Sequence, residues 1–440
     1  MLGRGIAFIF HLLAVALIVV LCLTGVMLAK SAQVAVTSPE LVTILQDVST
    51  ADGHRYNAVD DQNVGMDTVK IIANPQGGYE AVYHHAINSV FQVRLATSTD
   101  LLTWHYVTTL QTAASQPTIA SLSDGGFLVG YEKDSEGKYC GGVGSCLAFK
   151  HFANLNALLA GAYDKSIVLN RTLSFCQEGT PNIYAATLNP DIAHSIINVG
   201  FHYQSSCYAD REAVGTLTNF STWKTQADAN LNTLFSNLGT INGNIGDRDA
   251  FFYRGNPYSI IEAQFTRNDF TTWRPYLFDR TLNSLTRLSL QTNGGSTSFG
   301  NPIYTEVRLP NGQLGFVSTE FIFSQGAVPG EAGALIYYKA YPTQAPADTT
   351  APSVSITQPA SGSKVSKGST ITIKASASDD VGIAKVAFYV NGVLTCVSPF
   401  APYTCNWTVP STPGVTYTIT AQAFDIALNS ASSSVQVTSQ

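Results

Sequence analysis

The chain has 440 residues, enough for two or three domains that each bury a core. Only 12% of its residues are charged and the formal net charge is −6, with no Lys/Arg-rich run, which excludes nucleic-acid binding through a basic stripe. With 20 Tyr, 22 Phe and abundant Thr, Ser, Asn and Gly, the composition favours strands and suits an all-β exported protein.

The first element is an apolar stretch from about Ile6 to Ala29, preceded by Arg4 and followed by Lys30-Ser31-Ala32-Gln33. A positive start, an apolar core and small residues afterwards read as a secretory signal over residues 1–32. The run is also long enough to stay as a membrane anchor, so cleavage and retention both remain open. Either outcome exports the rest of the chain to the cell surface or beyond, and membrane contact is expected through this segment alone.

Residues 40–344 carry a repeat. Asp100-Leu101-Leu102-Thr103-Trp104, Asn219-Phe220-Ser221-Thr222-Trp223 and Asp269-Phe270-Thr271-Thr272-Trp273 each follow a short apolar run, and Asn154-Leu155-Asn156 is a fainter copy without Trp. Steps of roughly 50–65 residues, each holding about four short strands, predict the blades of a β-propeller. The span divides into five units, with the Trp element placed near the end of each third strand and the Trp side chains in the packing between strands. The segment from about Leu41 to Val59 is expected to supply the outer strand that closes the ring, removing the exposed edges.

The innermost strand of each blade lines the axis, so polar residues at the strand starts converge there although they are far apart in sequence. By this register Asp67, Gln116, Glu178, Asp249 and Asn301 are expected at equivalent positions. Two or three carboxylates around one pocket suit glycoside hydrolysis, in which a carboxylic acid protonates the departing oxygen and a carboxylate activates water or attacks the sugar. Asp67, Glu178 and Asp249 are the catalytic candidates; Gln116, Arg248, Asn301 and His84 are candidate substrate contacts. No Cys or His spacing suggests a metal site, and no metal or cofactor is expected. The expected partner is a carbohydrate, and the chain is expected to act as a monomer.

Six cysteines lie beyond the apolar segment, and an even number in an oxidising compartment implies disulfides. Proximity favours Cys140–Cys146, Cys176–Cys207 and Cys396–Cys405 among the 15 pairings that six cysteines allow. A Pro/Thr/Ala linker at 345–352 marks a boundary, and the alternating strands of residues 353–440 predict a β-sandwich.

In that tail, Ser378-Asp379-Asp380-Val381-Gly382, Val386 to Gly392, Ala401-Pro402-Tyr403 and Ala423-Phe424-Asp425 resemble bacterial immunoglobulin-like modules, which implies spacing or adhesion rather than catalysis. The core resembles the five-bladed propeller glycoside hydrolases, the arabinanase/β-xylosidase group with its invertase/levansucrase relatives. That resemblance implies Asp67 as the base and Glu178, within Glu178-Gly179, as the acid. Two departures stand out: Gln116 where the family has an Asp that tunes the acid, and Asp247-Arg248-Asp249 in blade four, whose Asp249 is a candidate replacement. A non-catalytic carbohydrate-binding or adhesive protein is therefore the alternative. A sialidase-type reading draws on Ser98-Thr99-Asp100-Leu101-Leu102-Thr103-Trp104, which lacks the Gly of the corresponding box.

Overall fold

The structure, a computed structural model, describes residues 38–440 except 75, 135–139, 141–143, 343–348, 381, 399–400 and 426–428, and it leaves the side chains of Asp247 and Arg248 undescribed. The leader or anchor expected at 1–32 and much of the linker lie outside the described residues, as does the side chain of Arg248.

Five antiparallel sheets of four strands follow one another along the chain. Their inner strands are Asp67–Ala73, Ala114–Ser121, Glu178–Leu188, Ile245–Tyr253 and Phe299–Arg308. Each inner strand touches the next, and the fifth touches the first, so the sheets form a closed five-bladed ring. The short strand Gly53–Arg55 pairs with Gly333–Ala340 and becomes the outer strand of the last blade. The closing segment is thus where the sequence placed it, but its first part is helical. Pro39–Gln46 forms an amphipathic helix whose Leu41, Ile44 and Leu45 are buried against residues of blades four and five.

Apolar cores lie between adjacent blades. Val69, Ile71 and Tyr83 of blade one pack with Val307, Val317 and Ile336 of blade five, and Leu128 and Phe149 of blade two pack with Val199 and Phe201 of blade three. Trp104 and Trp273 are buried, and Trp223 packs at a tilt against Phe201 and lies against Gly215, where a Cβ would stand 2.1 Å from the indole ring.

The Trp element does not mark one place in the blade. It joins the third and fourth strands in blades one and three, but the second and third strands in blade four. Two of the three copies share a turn bond. Asp100 accepts the Leu102 and Thr103 N–H groups and Asp269 accepts that of Thr271, a local bond that caps any strand connection.

Residues 353–439 form a three-stranded and a five-stranded sheet around one core containing Ile373, Phe388, Trp407 and Ile419. All three expected disulfides are present, and Cys396–Cys405 ties the five-stranded sheet to the three-stranded one.

Candidate functional site at the strand-start end of the ring

Every inner strand carries a register irregularity near its start. In four blades it places one non-glycine residue in the left-handed region: Thr68, Gln116, Thr180 and Asn301, with φ between 46° and 52°. Such a kink turns a side chain off the pleat, here toward the axis. Thr68 Oγ1 donates to Gln116 Oε1 at 2.7 Å, and Asn301 Nδ2 reaches both Thr68 and Gln116 Oε1. Blades one, two and five therefore meet through neutral amide and hydroxyl groups.

A second layer lies two or three residues further along the strands. Lys70 of blade one pairs with Asp249 of blade four, which also accepts Asn182 Nδ2 at 2.6 Å and the Tyr304 N–H at 3.1 Å. Because residues 68, 116 and 301 share one layer and residues 70, 182 and 249 the next, all five strands run the same way. All five starts, and the loops around them, face one end of the ring.

The side chains expected at equivalent positions do not share a register. Asp67 pairs with His84 across its blade as Gly179 pairs with His202 and Gly300 with Phe321, so Glu178 stands one residue earlier. Gln116 and Asn301 occupy the left-handed position itself, and Asp249 lies in the deeper layer. The kink inserts one extra residue per strand, and counting from polar strand starts cannot locate it.

These positions set what each carboxyl can do. Asp249 is 1% exposed, and its two oxygens are taken up by Lys70, the Asn182 side chain and the Tyr304 and Ala250 N–H groups. Glu178 is also buried, and its Oε1 accepts the N–H groups of Thr172, Leu173 and Ser174 at 2.5–3.2 Å. These bonds fix the carboxyl through that one oxygen. Asp67 is partly open, with Oδ2 held by His85 Nδ1 at 2.8 Å. Burial raises its pKa above the ordinary value of 3.8, while His85 pulls the other way.

His84 is not the rim contact expected of it. It is buried, its Nδ1 accepts the Gln116 N–H at 3.2 Å, and desolvation lowers its pKa to about 3, so the ring is a neutral acceptor. His85, its neighbour on the opposite face of the strand, takes the rim position beside Asp67.

Two residues that sequence reasoning passed over do the same work as His84. Glu132 Oε2 accepts the Thr180 N–H at 3.2 Å and Glu262 Oε2 accepts the Asn301 N–H at 2.7 Å. In three blades a second-strand side chain thus fixes the kinked residue of the following blade. Burial raises the Glu132 pKa, and nearby His202 opposes it. The only sequence signal was a polar residue near the end of each second strand.

Residues 352–421 match the bacterial Ig domain family. No curated protein matches the chain. Among solved structures, the fold is similar to a glycoside hydrolase (9% identity, 71% of this chain and 98% of that one, TM-score 0.47). It is likewise similar to a thermostable family-43 glycoside hydrolase (11%, 64% and 92%, 0.43) and to an endo-arabinase from Bacteroides thetaiotaomicron (10%, 66% and 99%, 0.41).

Proposed function

We propose that the protein is an exported glycoside hydrolase whose reacting carboxyls are Asp67 and Glu178, at the strand-start end of the ring. The observation that carries this reading is the way the two groups are held. Each is fixed through one oxygen, Asp67 by His85 and Glu178 by three N–H groups, which leaves Asp67 Oδ1 and Glu178 Oε2 for chemistry. Fixed carboxyls lose little reorganisation energy when charge moves. Asp67, opening blade one, acts as base or nucleophile and Glu178, opening blade three, as acid through Oε2. Asp249 leaves the catalytic set.

The test is turnover on arabinan, arabinoxylan and levan, compared among the native chain, Asp67→Asn and Glu178→Gln. Each substitution is expected to slow hydrolysis by about 10²–10⁴-fold, the usual worth of positioned proton transfer. Glu178→Gln should be partly spared on aryl glycosides whose leaving groups need no proton. A rate indifferent to both substitutions would show that the site lies elsewhere.

One observation favours a second reading, a protein that binds carbohydrate without cleaving it. Thr68, Gln116 and Asn301 form a neutral polar layer where a third carboxylate would tune the acid. Retention of the native chain in polysaccharide gels with no product formed from any of the three glycans would establish binding alone.

A further inference from the structure

Large apolar side chains left in water are concentrated at one end of this protein. Phe91 begins the third strand of blade one, Tyr208 sits in the turn between the second and third strands of blade three, and Phe270 in the corresponding turn of blade four. Phe175 lies in the connection into the inner strand of blade three. In an up-and-down blade all of these connections fall at the end where the inner strands start, which is the end that holds Asp67 and Glu178.

Two of these rings stand beside a covalent cross-link. Phe175 is 81% exposed and Tyr208 60% exposed, and they flank the Cys176–Cys207 disulfide. The two cysteine Cα atoms are 5.5 Å apart. Each aromatic residue is one peptide, about 3.8 Å, from its cysteine, so the Cα atoms of Phe175 and Tyr208 lie within about 13 Å of each other. The Arg267 guanidinium from blade four lies 4.2 Å from the centre of the Tyr208 ring, which steadies the side chain. The other ring is coupled to Glu178 through the backbone, because Ser174, whose N–H binds Glu178 Oε1, immediately precedes Phe175.

We propose that Phe175 and Tyr208 form an aromatic subsite that stacks on the sugar rings of a glycan chain passing Glu178; this rests on the reading of that end as a carbohydrate site. A sugar ring presents a patch of C–H groups on one face and hydroxyls at its edge. An exposed aromatic ring offers a partner for the first without desolvating the second. The disulfide limits the backbone freedom that would otherwise be lost on binding. A glycan is the occupant because Phe175 belongs to the segment 172–178 that holds and includes Glu178, and the disulfide joins Tyr208 to that segment.

The test is affinity electrophoresis of the full chain through gels containing arabinan, arabinoxylan or levan. It is run in the native chain and in the Asp67→Asn, Glu178→Gln background, where retention is read without turnover. At least one polysaccharide should retard the protein. Phe175→Ala and Tyr208→Ala should each weaken that retention several-fold to about tenfold, and Phe175→Trp and Tyr208→Trp should keep it. Unchanged retention in both alanine variants overturns the proposal, as does a parent that no polysaccharide retards. A dimer in sedimentation that either alanine variant dissociates also overturns it, since the rings would then cover a second copy. Loss of hydrolysis with retention intact strikes the catalytic reading alone.

Discussion

Lys70 and Asp249 meet across the axis of the ring although 179 residues separate them in sequence. The pair joins the inner strand of blade one to that of blade four, and Asn182 and Tyr304 bring blades three and five to the same carboxylate. One anion thus gathers four of the five inner strands. A buried charge is tolerable here because its donors replace the water it has lost.

Removing either partner should therefore be costly. Asp249→Asn or Lys70→Met leaves an uncompensated buried charge and is expected to cost about 3–5 kcal/mol in chemical denaturation. The double substitution should cost clearly less than the two single costs together. Two small, additive effects would mean that the pair does not hold the ring.

Asp67 and Glu178 should separate when stability is measured beside activity. Asp67→Asn keeps a hydrogen-bonding group at a partly open position and should change stability by less than about 1 kcal/mol. Glu178→Ala strands three N–H groups of the 172–174 loop and should cost about 3 kcal/mol or more, whereas Glu178→Gln retains an acceptor oxygen and most of the stability. Equal thermal shifts for Glu178→Ala and Glu178→Gln would contradict the anchoring role.

Glu80 should make the protein less stable as pH rises from about 4.5 to neutrality. It is fully buried in blade one, and desolvation raises its pKa from 4.5 to about 7, with Asn74 acting against the shift. The folded value lies above the unfolded one, so its stabilising contribution is fully present below about pH 4.5 and is lost as pH rises through about 7. The difference amounts to roughly 3 kcal/mol. Glu80→Gln should flatten that part of the stability–pH curve; a curve of unchanged slope between pH 5 and 8 would show that Glu80 is not its source.

The cysteines offer a chemical check. Cys176–Cys207 closes a span of 31 residues, and Cys176→Ser with Cys207→Ser should cost roughly 2–4 kcal/mol. The same double variant should weaken glycan retention by loosening Phe175 and Tyr208. Peptide mapping without reduction should recover Cys140–Cys146, Cys176–Cys207 and Cys396–Cys405.

Local and periodic features of this chain were legible from its residues. Alternating apolar positions and turn residues gave the all-β class, because strand patterning depends on neighbours two residues apart, and the repeat spacing gave the five units. Nearness along the chain gave the three disulfides. The tail's alternation gave a sandwich, seen in the strand Thr416–Asp425, whose residues alternate in burial throughout. The site itself was decided by the tertiary structure. The kinks at Thr68, Gln116, Thr180 and Asn301 shift each strand by one residue, and that shift determines which side chain meets the axis. It sent Asp249 to Lys70, buried His84 against Gln116 and left His85 beside Asp67. A side chain's partner across a ring depends on where five distant strands come to rest, and no local pattern in the sequence records that.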